Sequence, residues 1–280
     1  MSYKIAINGY GRIGRCVLRA FYESTNYADL RIVAINDLAD IGNLAHLTRY
    51  DSTHGRFLGE VEQGDGELMV SGDAIRVSQQ ADVANLAWND LEIDLVMECS
   101  GAFTDRETAQ IHLANGAKRV LFSQPADSDV DATLVYGINH ETLAAEATII
   151  SNASCTTNCI VPVLKTIDDA FGIDHGVITT IHSAMNDQPV IDSYHHQDLR
   201  KTRSAMQSII PVDTALAKGI ERILPNLNGR LQAQAIRVPT VNVSAMDLTL
   251  TLNSDVTVDS VNAALVAASD SLPPNILGYT

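Results

Sequence analysis

The chain has 280 residues, a length that suits two domains or one large one. It is 46% hydrophobic and 19% charged, which is enough for a sizeable core, and it carries a formal net charge of −15 with a pI near 4.7. So acidic a chain is repelled by nucleic acid and by anionic membrane, which excludes both as main partners. A phosphorylated small molecule stays open, because a binding site sets its own local charge. The four cysteines, Cys16, Cys99, Cys155 and Cys159, form no CxxC pair and join no cluster with zinc-ligand spacing. No metal site is therefore expected, and reduced thiols fit a cytoplasmic location. Met1-Ser2-Tyr3-Lys4 runs straight into a strand pattern, so no signal peptide is expected, and no apolar run has the length of a bilayer span.

In chain order, Tyr3 to Asn8 reads as a strand, followed by Gly9-Tyr10-Gly11-Arg12-Ile13-Gly14. A helix is predicted next, with Ile13, Val17, Leu18 and Phe21 on one face. A second strand, Leu30 to Ile35, ends at Asn36-Asp37. In such a unit Gly9 permits a tight turn, Gly11 lets backbone approach a pyrophosphate, and Gly14 lets helix and strand pack closely. Asp37 stands where a carboxylate can bond both hydroxyls of an adenosine ribose, and its charge disfavours a 2′-phosphate. Strand, glycines, helix, strand and terminal acid in order predict a dinucleotide-binding domain that takes NAD.

The α/β pattern continues. Glu67 to Val77 reads as a hairpin turning at Ser71-Gly72-Asp73, and Ile93 to Glu98 as an apolar strand. Asp105 to Asn115 reads as a helix stopped by Gly116, and Val120 to Phe122 and Thr133 to Ile138 as two further strands. Cys99, Ser100 and Gly101 follow a strand end, where a doubly wound sheet meets its ligand, and they read as loop packing near the cofactor.

The second half carries the chemistry. Ala147 to Ile150 is a β-branched run, and Cys159 to Ala170 is helix-like. Between them Ser151 to Asn158 sets Cys155 on the first turn of a helix leaving a strand. Helix N–H groups and the positive dipole end favour an anion there, so the thiol is biased towards thiolate, the form that attacks carbonyls. The plain alternative is a small apolar filler. Val177 to Ile181 is a strand pattern ending at His182, the candidate base for that thiol. Tyr194-His195-His196 lies in a polar loop from Met185 to Arg203 with no third ligand nearby, so it is not read as a metal site. Arg200, Lys201 and Arg203 are either a solvated cluster or an anion-facing one. Arg237, at the end of a strand pattern, is placed to clamp a phosphate or carboxylate with its guanidinium fork.

These motifs have a precedent in combination. NGYGRIGR at 8–15, AINDL at 34–38, LAHLTRYDSTHG at 44–55, SNASCTTNC at 151–159 and RVPTVNVSAMDL at 237–248, with the His182 region, resemble the phosphorylating glyceraldehyde-3-phosphate dehydrogenase family from end to end. Met185 and the segment Ile209 to Thr214 look most like its erythrose-4-phosphate dehydrogenase branch. The resemblance implies an α/β protein, with an N-terminal Rossmann dinucleotide-binding domain over 1–154 and an α+β catalytic domain with a mixed sheet over 155–280. Against that family the second domain reads as truncated at its C-terminus. The resemblance further implies NAD as cofactor, with Arg12 and Ile13 lining its cleft beside Gly9, Gly11, Gly14 and Asp37. Cys155 would form a thiohemiacetal with the aldehyde, and His182 would take a proton as hydride leaves. Ser154, Thr156, Thr214 and Arg237 match positions that hold substrate or inorganic phosphate, and Arg200 is added as an anion-facing residue. A homotetramer is implied, with the loop from about 184 to 206 at a subunit interface.

One departure bears on the substrate. Where most of the family has a Thr three residues after the catalytic His, this chain has Met185, and a thioether cannot donate a hydrogen bond. The expected reaction is therefore oxidation of D-erythrose 4-phosphate to 4-phosphoerythronate, with water releasing the acyl group and the product feeding pyridoxal phosphate synthesis. The alternatives are a phosphorylating glyceraldehyde-3-phosphate dehydrogenase, a non-catalytic NAD-binding or redox-sensing protein in which Cys155 meets oxidants, and a semialdehyde dehydrogenase on the same two-domain plan.

Overall fold

In the computed structural model the described residues are 2–24, 26–195 and 198–280. The chain divides into two compact units. One is Met1–Leu134 with Leu143–Ala153, and the other is Val135–Thr142 with Ser154–Thr280.

The first unit opens as the glycine pattern requires. Strand β1 (Tyr3–Asn8) leads into helix α1 (Arg12–Glu23), and β2 (Leu30–Asn36) into α2 (Ile41–Arg49). Two short strands, β3 (Tyr50–Asp51) and β4 (Gly55–Arg56), pair with each other. β5 (Val61–Gln63), β6 (Glu67–Val70) and β7 (Asp73–Ser78) form an antiparallel meander. Its predicted hairpin turn is present, with φ +50° at Ser71 and +90° at Gly72, as a two-residue primed turn needs. β8 (Leu95–Glu98), α3 (Arg106–Ala114), β9 (Val120–Phe122), β10 (Ala132–Thr133) and β11 (Ile149–Ser151) complete the unit. Asp105 caps α3 through the Thr108 N–H.

Among the described residues the main sheet runs β10-β11-β9-β8-β1-β2-β7-β6-β5, and it is parallel from β10 to β7. It is buried on both faces, as parallel sheets are. Ile5 and Ile7 pack with Leu18 and Leu44 on one side, and Ala6, between them, packs with Ala109 and Phe122 on the other. The parallel strands all end at one edge, at Asn8, Asn36, Ser78, Glu98, Phe122, Thr133 and Ser151.

One expected strand is absent as such. Only Ala132–Thr133 pairs in the sheet, and Val135 to Ile138 turns away. Gly137 takes φ +84°, and the Asn139 side chain accepts the Val135 N–H. A side-chain-capped turn thus overrides the strand propensity of Leu134 and Val135. The strand predicted from Ile93 begins two residues later, at Leu95.

In the second unit α4 (Cys155–Phe171) begins at Cys155, with the thiol on its first turn as expected. Then come β12 (Ile173–Ser183), β13 (Ile210–Val212), α5 (Leu216–Ile223), β14 (Leu231–Val238), β15 (Ala245–Leu252) and α6 (Val258–Ser271), the last with a capping box at Thr257 and Ser260. The four strands form a mixed sheet, β13-β14-β12-β15, in which only β12 and β14 are parallel. The α/β plan with a mixed second sheet is as expected. Among the described residues no helix is long and apolar enough to cross a membrane.

Candidate active site

Ser154 is the N-cap of α4, and its Oγ accepts the Thr157 N–H at 3.0 Å. That cap puts Cys155 at the first helical position, against the positive end of a long helix. The residue before the cap, Ala153, has φ +57°, a left-handed conformation that an alanine adopts only under constraint. Ser154 Oγ also lies 3.0 Å from Thr156 Oγ1 and 2.7 Å from Thr157 Oγ1, so three hydroxyls gather beside the thiol.

Cys155 Sγ lies 3.5 Å from Nε2 of His182. The other ring nitrogen, Nδ1, is 2.7 Å from the Ser183 carbonyl oxygen. A carbonyl only accepts, so Nδ1 carries the proton and Nε2 is left to accept one from sulfur. The hydrogen bond to His182 holds the Cys155 thiol below its usual range, against burial. The same bond pushes His182 up, with burial and the charge of Arg237 opposing. Both directions favour a thiolate–imidazolium pair. Cys159, one turn along the helix, is shifted the other way, up, by burial and then by the Cys155 charge.

Strand register brings in the third group. β12 and β14 run parallel with His182 directly opposite Arg237. The Arg237 side chain is largely buried, and its Nη1 is buried without a hydrogen-bond partner. The nearest carboxylate oxygen, from Asp187, is 3.8 Å away, and Asp187 is itself 2.8 Å from Lys201 Nζ. A buried guanidinium nitrogen with no partner is costly unless a ligand oxygen takes it.

The dinucleotide turn forms inside the first unit. Gly9 has φ +89°, and a Cβ there would lie 2.3 Å from Ser100 Cα, so only glycine fits. A Cβ on Gly14 would lie 2.3 Å from the Gly9 carbonyl oxygen, while one on Gly11 would have nothing within 4 Å. No side chain caps α1 at Gly11. An open approach to the backbone at an uncapped helix start is what a pyrophosphate needs, so the residues fit NAD. Asp37 follows β2 and accepts the Tyr10 N–H at 2.7 Å and the Ala39 N–H at 3.0 Å. These bonds aim its carboxylate beside the glycine turn.

Residues 3–106 match the family model for the NAD binding domain of glyceraldehyde 3-phosphate dehydrogenase, and residues 154–280 match the model for its C-terminal domain. The chain belongs to the glyceraldehyde-3-phosphate dehydrogenase family. It is an NAD-dependent dehydrogenase of that family, with a Rossmann-type N-terminal domain.

Set against the family, the predicted residues divide into those that meet and those that do not. Cys155, His182 and Arg237 come together, with Ser154 and Thr156 on the same helix start. Arg200 is engaged elsewhere: its guanidinium lies 2.9 Å from Asp198 and 3.0 Å from Asp213. Thr214 Oγ1 accepts the Leu216 N–H at 3.2 Å and follows β13, whose Ile210 lies opposite Arg237. Arg12 and Ile13 open α1, and Ile13 is half exposed. Among the described residues no group of three His, Cys, Asp or Glu could hold a metal ion, and His196 lies outside those residues. Reading the sequence missed Asp187 and Ser183. Asp187 was one acid in a polar loop, and no spacing signal ties it to Arg237. Ser183 acts through its carbonyl, which no residue type reveals.

Proposed function

We propose that this dehydrogenase oxidises D-erythrose 4-phosphate and releases 4-phosphoerythronate by hydrolysis. The observation that carries the reading is the Asp187 carboxylate beside Arg237, in a chain that has Met185 where a hydroxyl donor would stand. An aldehyde phosphate offers its carbonyl to Cys155 and its dianion to an arginine. A second, free phosphate needs donors and positive charge of its own. Here Met185 contributes no donor, and Asp187 sets a carboxylate 3.8 Å from the Arg237 guanidinium. Like-charge repulsion between that carboxylate and a free phosphate favours water as the acyl acceptor.

The steps follow from the pair's protonation. Cys155 thiolate attacks the aldehyde carbon, and the new alkoxide takes the proton from the His182 imidazolium, giving a thiohemiacetal. NAD supplies the hydride acceptor. His182 Nε2 takes the hydroxyl proton back as the carbon is oxidised to a thioester, and then passes it to solvent. The same nitrogen next removes a proton from water as it attacks the thioester, and the thiolate leaves. Ser183 holds the ring in the tautomer that each of these transfers needs.

The protein is expected to assemble as a homotetramer. Val190, Ile191, Tyr194, Leu199 and Ile209 expose apolar side chains around the 190–209 segment, a surface that suits burial against another copy. Sedimentation of the purified protein tests that.

Steady-state kinetics with NAD and each aldehyde, with product identified as free acid or acyl phosphate, test the substrate assignment. The reading requires a higher kcat/KM for erythrose 4-phosphate and a free acid product. Equal or better turnover of glyceraldehyde 3-phosphate with inorganic phosphate would replace it by the glycolytic reaction.

A further inference from the structure

Four neighbouring strands of the first unit end in polar side chains that are joined in one chain of hydrogen bonds. Ser78 Oγ and the Gln80 N–H both donate to Asn36 Oδ1, each at 2.9 Å. Asn36 Nδ2 donates to Asn8 Oδ1 at 2.8 Å, and Asn8 Nδ2 donates to Glu98 Oε2 at 2.5 Å. The same Glu98 oxygen meets His112 Nε2 at 3.2 Å. The other, Oε1, accepts from the Ser100 N–H at 2.8 Å and from Ser100 Oγ at 2.5 Å. Trp88 Nε1 closes the chain on His112 Nδ1 at 3.0 Å.

The direction of every bond is fixed. An indole N–H can only donate, so His112 Nδ1 accepts and its Nε2 carries the proton. Glu98 therefore faces donors alone: an amide, an imidazole N–H, a backbone N–H and a hydroxyl. Those donors favour its ionised form, although both it and His112 are fully buried. Burial pushes the Glu98 carboxyl up, and the bonds from His112, Ser100 and Asn8 outweigh it, leaving it below the usual value.

A buried carboxylate is expensive, and this one is spent at the cofactor turn. Gly9 N–H donates to the Asn36 carbonyl at 2.8 Å, and Cys99 N–H donates to the Asn8 carbonyl at 2.7 Å. A Cβ on Gly9 would lie 2.3 Å from the Ser100 nitrogen as well as from its Cα. The Gly9 turn and the Ser100 turn are thus stacked backbone on backbone. Gly101, at φ +74°, and the Ala102 N–H on Ser100 Oγ shape the second turn. Whatever moves Ser100 moves the wall against which Gly9 is set.

We propose that Glu98 is a positioning residue for NAD: its buried carboxylate, bonded by Asn8 and His112, holds the Ser100 turn against Gly9 and so fixes the pyrophosphate-binding backbone. Glu98→Gln keeps size and shape but turns one acceptor into a donor. Either way round, its amide faces a donor, and the Ser100 turn is expected to loosen.

The test is steady-state kinetics of the full chain carrying Glu98→Gln, with thermal unfolding and the rate of Cys155 alkylation in the absence of NAD measured alongside. The expected result is a KM for NAD raised about tenfold, the loss of roughly one hydrogen bond to a charged group. The kcat at saturating NAD and the alkylation rate should stay within about twofold. An unchanged KM for NAD, or a fall in all parameters in step with the folded fraction, would overturn the proposal. Should Glu98→Gln not fold, Ser100→Ala removes one donor from an exposed turn. A KM for NAD raised severalfold at unchanged melting temperature supports the role, and an unchanged KM ends it.

Discussion

Two polar clusters, one in each unit, are built in opposite ways. At the carboxyl ends of β7, β2, β1 and β8 the buried side chains Asn36, Asn8, Glu98 and His112 all have hydrogen-bond partners within the unit. In the second unit the thiol of Cys155 is exposed and Arg237 Nη1 is buried without a hydrogen-bond partner. The first arrangement leaves no polar side chain unpaired and works by holding backbone still. The second leaves Arg237 Nη1 open, and on the proposed reading a substrate oxygen completes it, so that the binding interaction is realised at the reacting centre. A binding floor is thus legible as a closed network, and a reactive site as an open one.

The sharpest way to break the comparison is to remove the nucleophile. Cys155→Ser should lower NAD-linked aldehyde oxidation by about 10⁴-fold or more while NAD affinity, measured by fluorescence titration, stays put. Residual activity near that of the unaltered enzyme would show that the open site is not where chemistry occurs. Next comes His182→Asn, which should cost roughly 10²-fold or more in kcat. It also carries a pH signature. The thiolate is lost as pH falls through the Cys155 pKa, which His182 holds below the usual thiol range. Without that imidazole the midpoint of iodoacetamide alkylation against pH should move upward. An unmoved midpoint would separate His182 from the thiol.

A third change attacks the closed network. Gly9→Ala forces a Cβ into Ser100 at a left-handed φ, a strain of about 1–3 kcal/mol before the clash is counted. Lower thermal stability together with weaker NAD binding is expected. A variant as stable as the parent would mean the two turns can part freely. The smallest effect is expected from Asp187→Asn. Freed of the carboxylate beside it, Arg237 should tolerate inorganic phosphate, and turnover should gain a few-fold phosphate dependence. Acyl phosphate among the products would be the direct sign, and an identical phosphate response would take Asp187 out of the account.

Much of this was legible in the chain. Local rules sufficed for Gly9, Gly11 and Gly14, because a turn, a close approach and a tight packing each demand a residue without Cβ. They sufficed for Asp37, since a strand end fixes where its side chain stands. They also sufficed for Cys155, since a β-branched run followed by an apolar, helix-like one locates a helix start. The segment Thr133 to Ile138 misled because β-propensity measures fit to a pleated surface, and here the Asn139 side chain offered the backbone a turn instead. Thr214 was placed by resemblance and Arg200 by its basic cluster, which left a solvated and an anion-facing reading open; Arg200 bonds Asp198 and Asp213.

By itself the sequence determined the order of elements, the thiol on a helix start and the acid at the end of the second strand, because each depends on neighbours within a few residues. Only the tertiary structure decided that His182 lies opposite Arg237, that Asp187 stands beside that arginine, and that Ser78, Asn36, Asn8, Glu98 and His112 form one line of bonds. Those pairings join residues distant in sequence, and strand register, a property of the assembled sheet, is what brings them within reach.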